Sequence, residues 1–97
     1  MIFHVVTELE WNEQISASHF APRSFLQEGF IHCCTRDQLP GVLERYYRGQ
    51  SGLLVLHLDE NKLEHPITNE KATNDELFPH LYGRINKAAV ISIEKIS

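Results

Sequence analysis

The chain opens on an apolar run, Met1 to Thr7, rich in Ile, Phe and Val and free of Gly and Pro, which predicts a strand. Thr7-Glu8-Leu9-Glu10 then fits a capping box, in which the Thr7 hydroxyl and the Glu10 carboxylate satisfy orphan amides at a helix start. A helix is therefore expected from Glu8, with Trp11 and Ile15 one turn apart on its inner face. Ser24-Phe25-Leu26-Gln27 repeats the box ahead of Gly29 and predicts one further helical turn. Phe30-Ile31-His32-Cys33 reads as a short buried strand bounded by Gly29 and Thr35. Leu39, Val42, Leu43, Tyr46 and Tyr47 recur at helical spacing up to Gly49. Thr35 and Asp37 are both candidate caps of that helix, and Asp37 is favoured because it keeps Pro40 in the first turn, where a missing amide costs nothing, whereas Thr35 would place Pro40 beyond it.

Leu53 to Leu58 predicts a second apolar strand, and Ala89, Ile91 and Ile93, alternating with Val90, Ser92 and Glu94, a half-buried last one. Between them, residues 60–76 form a polar stretch with a weak strand near Pro66–Asn69. The patch Leu77-Phe78-Pro79-His80-Leu81-Tyr82-Gly83 is dense in aromatic side chains, and its Pro79 and Gly83 forbid a regular helix. Strands at both ends and in the middle, with the helices gathered in the first half, predict an α+β fold. We expect a single domain over residues 1–97, with a mixed or antiparallel split sheet and two main helices. A doubly wound parallel sheet would need more crossover helices.

Ninety-seven residues make one domain at the usual ~100–150 each, with an expected radius of gyration of roughly 13 Å. Nine Lys and Arg against thirteen Asp and Glu give a net charge of −4 with no basic run, so duplex nucleic acid is not an expected partner. No apolar run approaches the ~20 residues of a membrane span, and the start lacks a basic region and a small-residue cleavage site. No membrane association or export signal is read, and a cytosolic (cytoplasmic) location is expected. The only cysteines, Cys33 and Cys34, are sequence neighbours that rarely reach disulfide geometry, which suits a reducing compartment.

Six histidines raise the question of a metal. His4, His19, His32, His57, His65 and His80 contain no H-x₃-H or H-E-x-x-H spacing, and Cys33-Cys34 has no intervening residues to let two thiolates chelate one ion, so no metal is expected. A Cys–His nucleophile is weakened because adjacent strand residues point to opposite faces, which separates His32 from Cys33. Cys34 shares a face with His32 if the strand continues, although a small buried cysteine more often behaves as a hydrophobe. More informative is that His4, His32 and His57 each interrupt an apolar, strand-like run. A buried imidazole needs partners or a cavity, and several of them beside an aromatic patch point to a concave site. The competing reading is a set of satisfied core histidines.

Ile-Phe-His-Val-Val-Thr, Glu-Gly-Phe-Ile-His-Cys-Cys-Thr, Leu-Pro-Gly-Val-Leu-Glu-Arg-Tyr-Tyr-Arg-Gly and Glu-Leu-Phe-Pro-His-Leu-Tyr-Gly occur in that order. Together they resemble the successive motifs of a small bacterial family labelled domain of unknown function 952, over residues 2 to about 93. The resemblance implies a fold similar to ADP-ribosyltransferases, which bind NAD in the cleft of a split sheet. By that analogy His4 would contact a ribose hydroxyl, and the backbone beside it at Val5 would hold the nicotinamide amide. His32 would project from the following strand, and Phe78, His80 and Tyr82 would complete the binding set. Glu76, with Glu70 as runner-up, would be the late glutamate that stabilises the cation-like transition state, with His32 as its catalytic partner. The implied function is a small protein whose histidine-lined cleft binds NAD or a related nucleotide and transfers ADP-ribose. The alternative is a non-catalytic ligand-binding or accessory domain on the same fold, and the two differ in whether an acidic side chain reaches the cleft beside His4 and His32.

Overall fold

Burial on both faces explains why the first strand is apolar throughout. In the computed structural model, which describes residues 1–72 and 74–96, β1 (Ile2–Thr7) is buried from Ile2 to Val6. Its alternate side chains serve two cores: Ile2 and Val6 pack with Trp11, Phe20, Leu56 and Ile85, while Phe3 and Val5 pack with Leu53, Val55 and Phe78. β1 pairs with β4 (Leu53–Leu58), and β4 pairs with β8 (Val90–Ile96), giving a three-stranded sheet in the order β1-β4-β8. A second sheet has the order β3-β6-β5, from Ile31–His32, Leu77–Leu81 and Ile67–Lys71. β2 (His19–Phe20) and β7 (Ile85–Asn86) form a separate two-stranded ribbon. Among the described residues every strand pairing is antiparallel.

The two larger sheets meet at one bridge, where Phe3 and Cys34 exchange backbone hydrogen bonds of 2.8 Å in each direction. A continued ladder would next pair Val5 with His32, but no such backbone bond forms among the described residues and the His32 carbonyl meets the His4 imidazole instead, so β1 and β3 part immediately beyond the bridge. The Cα radius of gyration is 12.6 Å, in line with a single α+β domain. Among the described residues no helix is long and apolar enough to cross a membrane.

Local expectations were met unevenly. α1 (Glu8–Glu13) starts where the Thr7 hydroxyl accepts the Glu10 amide, but the Glu10 carboxylate turns to the Arg23 amide instead of closing the box. The helix ends before Ile15, which is 59% exposed, and Trp11 alone supplies its buried contact. α2 (Phe25–Glu28) is the expected single turn, closed by Gly29 at φ 78°, yet Ser24 makes no side-chain cap. α3 (Leu39–Tyr46) is capped by Gln38 instead of Asp37, because Thr35 receives the Gln38 amide through both its hydroxyl and its carbonyl. Tyr46 faces out, and Leu39, Val42, Leu43 and Tyr47 pack only partly buried against the second core. β3 is shorter than read, since Phe30 precedes it and His32 is exposed.

The last strand departs most. The register jumps from His57↔Ser92 to Leu58↔Val90, so Ile91 is skipped, and β8 is a sheet edge. Ile91 is 48% exposed at the bulge and Ile93, though in register with Leu56, is 45% exposed at the sheet edge, while Val90 and Ile96 pack inward. The polar stretch holds the 3-10 turn Glu60–Lys62 and a stronger β5 than predicted, and the aromatic patch is the central strand β6.

Candidate functional site

The split between β1 and β3 opens into a cleft of about 620 Å³. It is lined by β1 from Phe3 to Thr7, by His32 of β3 with the following Cys33 and Cys34, by Phe78 and His80 of β6, and by Val42, Tyr46 and Tyr47 of the α3 region. Of the expected binding residues, His4, Val5, His32, Phe78 and His80 line it.

His4 lies on the side of β1 that carries Ile2 and Val6, is 6% exposed, and sits 6.1 Å from the Phe20 ring. Where the ladder between β1 and β3 breaks, its imidazole substitutes for the backbone: Nδ1 lies 2.7 Å from the His32 carbonyl oxygen. A carbonyl can only accept, so Nδ1 carries the proton and Nε2 the lone pair. That Nε2 is buried and, among the described residues, has no hydrogen-bond partner. Burial drives the His4 pKa down from 6.5 to about 4, against the opposing pull of the His32 carbonyl and the Glu10 carboxylate, so the ring is neutral at physiological pH. A buried, unsatisfied acceptor is costly, and the residue that carries it lines a cleft.

His32 and His80 are register partners on β3 and β6, and their rings meet edge to face at 5.3 Å. His32 Nε2 lies 3.1 Å from Glu28, one turn earlier on α2. His80 stacks on Phe30 with centroids 4.2 Å apart, and its Nδ1 lies 2.7 Å from Glu70 Oε1 on β5. The Tyr82 hydroxyl donates to the same oxygen. Hydrogen bonds from Tyr82 and then His80 lower the Glu70 pKa, and the same carboxylate raises that of Tyr82. Tyr82 and Glu70 are thus tied to the site through His80 without lining the cleft.

Glu76 is placed differently. Its carboxylate accepts from Gln38 Nε2 and Asn74 Nδ2, stands 3.7 Å from Arg45, and is not among the lining residues. The acidic side chain that does line the cleft beside His4 is Glu10. Sequence reasoning assigned Glu10 wholly to the helix cap; its place in the first turn after the strand carrying His4 was the signal available. Lys71, the one lysine lining the cleft among the described residues, lay in the polar stretch with nothing to mark it.

The remaining histidines stand apart: His19 on Ser18 and Glu64, His57 on Glu94 with its ring edge-to-face on Phe3, and His65 against Gly83. Among the described residues no group of three His, Cys, Asp or Glu side chains is arranged to hold a metal ion. Both cysteines are free and buried. Burial pushes the Cys34 thiol up to about 11 and Cys33 higher still, which makes both poor nucleophiles at neutral pH.

The crystal structure of protein CC0527 from Caulobacter crescentus superposes with a TM-score of 0.88 at 24% identity, covering 99% of this chain and 85% of that one. A double mutant of the same protein gives 0.87 at 23% identity with the same coverage, and its solution NMR structure gives 0.84 at 24% identity, covering 99% and 84%. At that identity the likeness establishes a shared fold. Among curated proteins nothing matches this chain. A family model described as "Protein of unknown function (DUF952)" matches residues 5–93. This chain belongs to that family.

Proposed function

We propose that the cleft binds NAD or a related nucleotide on an ADP-ribosyltransferase-like fold. The observation that carries this reading is His4 Nε2, a lone pair held at the split of the sheet and left without a donor among the described residues. A neutral acceptor of this kind is satisfied by a ligand hydroxyl or amide N–H, and a ribose bonded to a nicotinamide ring offers both. The cleft suits the rest of such a ligand. Phe78, Tyr46 and Tyr47 provide flat apolar surface, and Lys71 supplies a positive charge for a pyrophosphate.

Transfer of ADP-ribose additionally requires a carboxylate against the positive charge that builds as nicotinamide leaves. Glu10 is the lining residue of that chemistry, whereas the expected Glu76 is engaged by Gln38, Asn74 and Arg45. The placement of Glu76 is what favours the second reading, a binding domain without turnover.

The test is calorimetric titration of wild type and His4→Phe with ADP-ribose. The expected result is binding by wild type and at least a tenfold loss in the variant, the scale of one removed hydrogen bond of about 1.4 kcal/mol or more. Equal affinities, or no binding to either protein, would remove the assignment.

A further inference from the structure

Glu70, His80 and Tyr82 form a connected set that nucleotide binding does not use. We propose that His80 is a general base that takes the proton from a hydroxyl acceptor in the cleft, water or a small alcohol, with Glu70 and Tyr82 as its positioning residues. The proposal rests on the nucleotide reading above and adds a reaction to it.

Geometry fixes the role of each atom. The Glu70 carboxylate accepts the Tyr82 hydroxyl, and His80 Nδ1 stands 2.7 Å from the same oxygen. An ionised carboxylate only accepts, so the His80 proton sits on Nδ1 and Nε2 is left as the basic nitrogen. No protein group is bonded to Nε2 among the described residues, and His80 lines the cleft. Its ring cannot swing freely, being stacked on Phe30 at 4.2 Å with an interplanar angle of 15° and edged by His32 at 5.3 Å. A carboxylate-anchored imidazole of fixed tautomer is the arrangement by which a base activates a hydroxyl. Glu70 is well suited to its part, because the Tyr82 and His80 hydrogen bonds keep it ionised. The other charged groups near the ring are His32 and its partner Glu28, with Lys71 adjacent to Glu70 on β5.

The step balances with NAD as the donor. The bond between the nicotinamide nitrogen and the ribose carbon breaks, and its electron pair leaves with nicotinamide, which becomes neutral. The acceptor oxygen forms the new bond to that carbon, and its proton passes to His80 Nε2 and then to solvent.

Nicotinamide release from NAD, with and without added methanol, is measured for wild type, His80→Gln, His80→Gly, Glu70→Gln and Tyr82→Phe, alongside NAD binding and circular dichroism. Wild type is expected to yield ADP-ribose in water and the O-methyl riboside with methanol. His80→Gln should slow release by about 100-fold or more, the usual scale for losing a general base, with NAD affinity retained. Added imidazole should restore release in His80→Gly, which a packing role for His80 would not allow. Glu70→Gln should fall between wild type and His80→Gln, and Tyr82→Phe closest to wild type. NAD binding by wild type with no nicotinamide released would overturn this inference and leave the binding reading intact. Undiminished release in folded His80→Gln would do the same, whereas absence of NAD binding would defeat the binding reading first.

Discussion

The His4 imidazole and the His32 carbonyl, 2.7 Å apart, hold together two strands whose backbone ladder has just ended at Phe3 and Cys34. The contact fixes the tautomer of His4, a residue that lines the cleft, and leaves its Nε2 buried without a partner among the described residues. A fixed tautomer and a buried neutral ring are both measurable.

Protonating His4 in the folded state is opposed by burial, so its pKa falls from 6.5 to about 4. Between those values the unfolded chain binds the proton and the folded chain does not, so stability rises with pH across the window and is lost as pH falls through it. The His4 contribution is about 3 kcal/mol between pH 6.5 and pH 4. Chemical denaturation of wild type and His4→Phe at several pH values should show that slope in wild type and its loss in the variant. Parallel profiles would mean that His4 is not buried as a neutral ring.

The core and the rim should separate cleanly. Phe20 is fully buried beside Trp11 and His4, and Phe20→Ala is expected to cost about 3–5 kcal/mol. Leu43 is only partly buried on α3, so Leu43→Ala should fall below about 2 kcal/mol. The His32 side chain is 59% exposed, and His32→Ala should stay within about 0.5 kcal/mol. Urea unfolding midpoints at constant m-value check the order, and His32→Ala as the most damaging change would make His32 a core element.

Glu70 and Tyr82 shift one another in opposite directions through their shared hydrogen bond. Phenolate absorbance should place the Tyr82 transition above 10.0 in wild type and nearer 10.0 in Glu70→Gln. Carboxylate NMR shifts should place Glu70 below 4.5, rising toward it in Tyr82→Phe. An unchanged tyrosine transition in Glu70→Gln would mean that the pair does not form in solution.

Much of this was legible in the sequence, because local chemistry decided it. The apolar runs of β1 and β4, the Thr7 start of α1 and the Gly29 stop of α2 depend on neighbours in the chain. His4 and His32 were singled out because each interrupts an apolar run, which marks a buried ring correctly for His4 and not for His32, whose side chain is 59% exposed. What remained hidden depends on pairing across the sheet. The bulge at Ile91 and the edge position of β8 expose Ile91 and Ile93, whose alternation had promised burial, and no local signal marks either. Likewise, the meeting of Glu70 with His80 follows from β5 pairing with β6, which joins residues ten apart in sequence through a weakly predicted strand. Glu76, chosen by its order in the chain, is drawn instead to Gln38 and Arg45 on the α3 side.

The most direct test is a long-range proton–nitrogen correlation spectrum of the histidine rings, recorded at neutral pH with and without ADP-ribose. His4 is expected to carry its proton on Nδ1, with its Nε2 at the shift of an unprotonated nitrogen that moves to the hydrogen-bonded range as ligand is added. His19 and His65, outside the cleft, should stay in place. A His4 protonated on Nε2, or a His4 Nε2 unmoved by millimolar ADP-ribose, would contradict this reading.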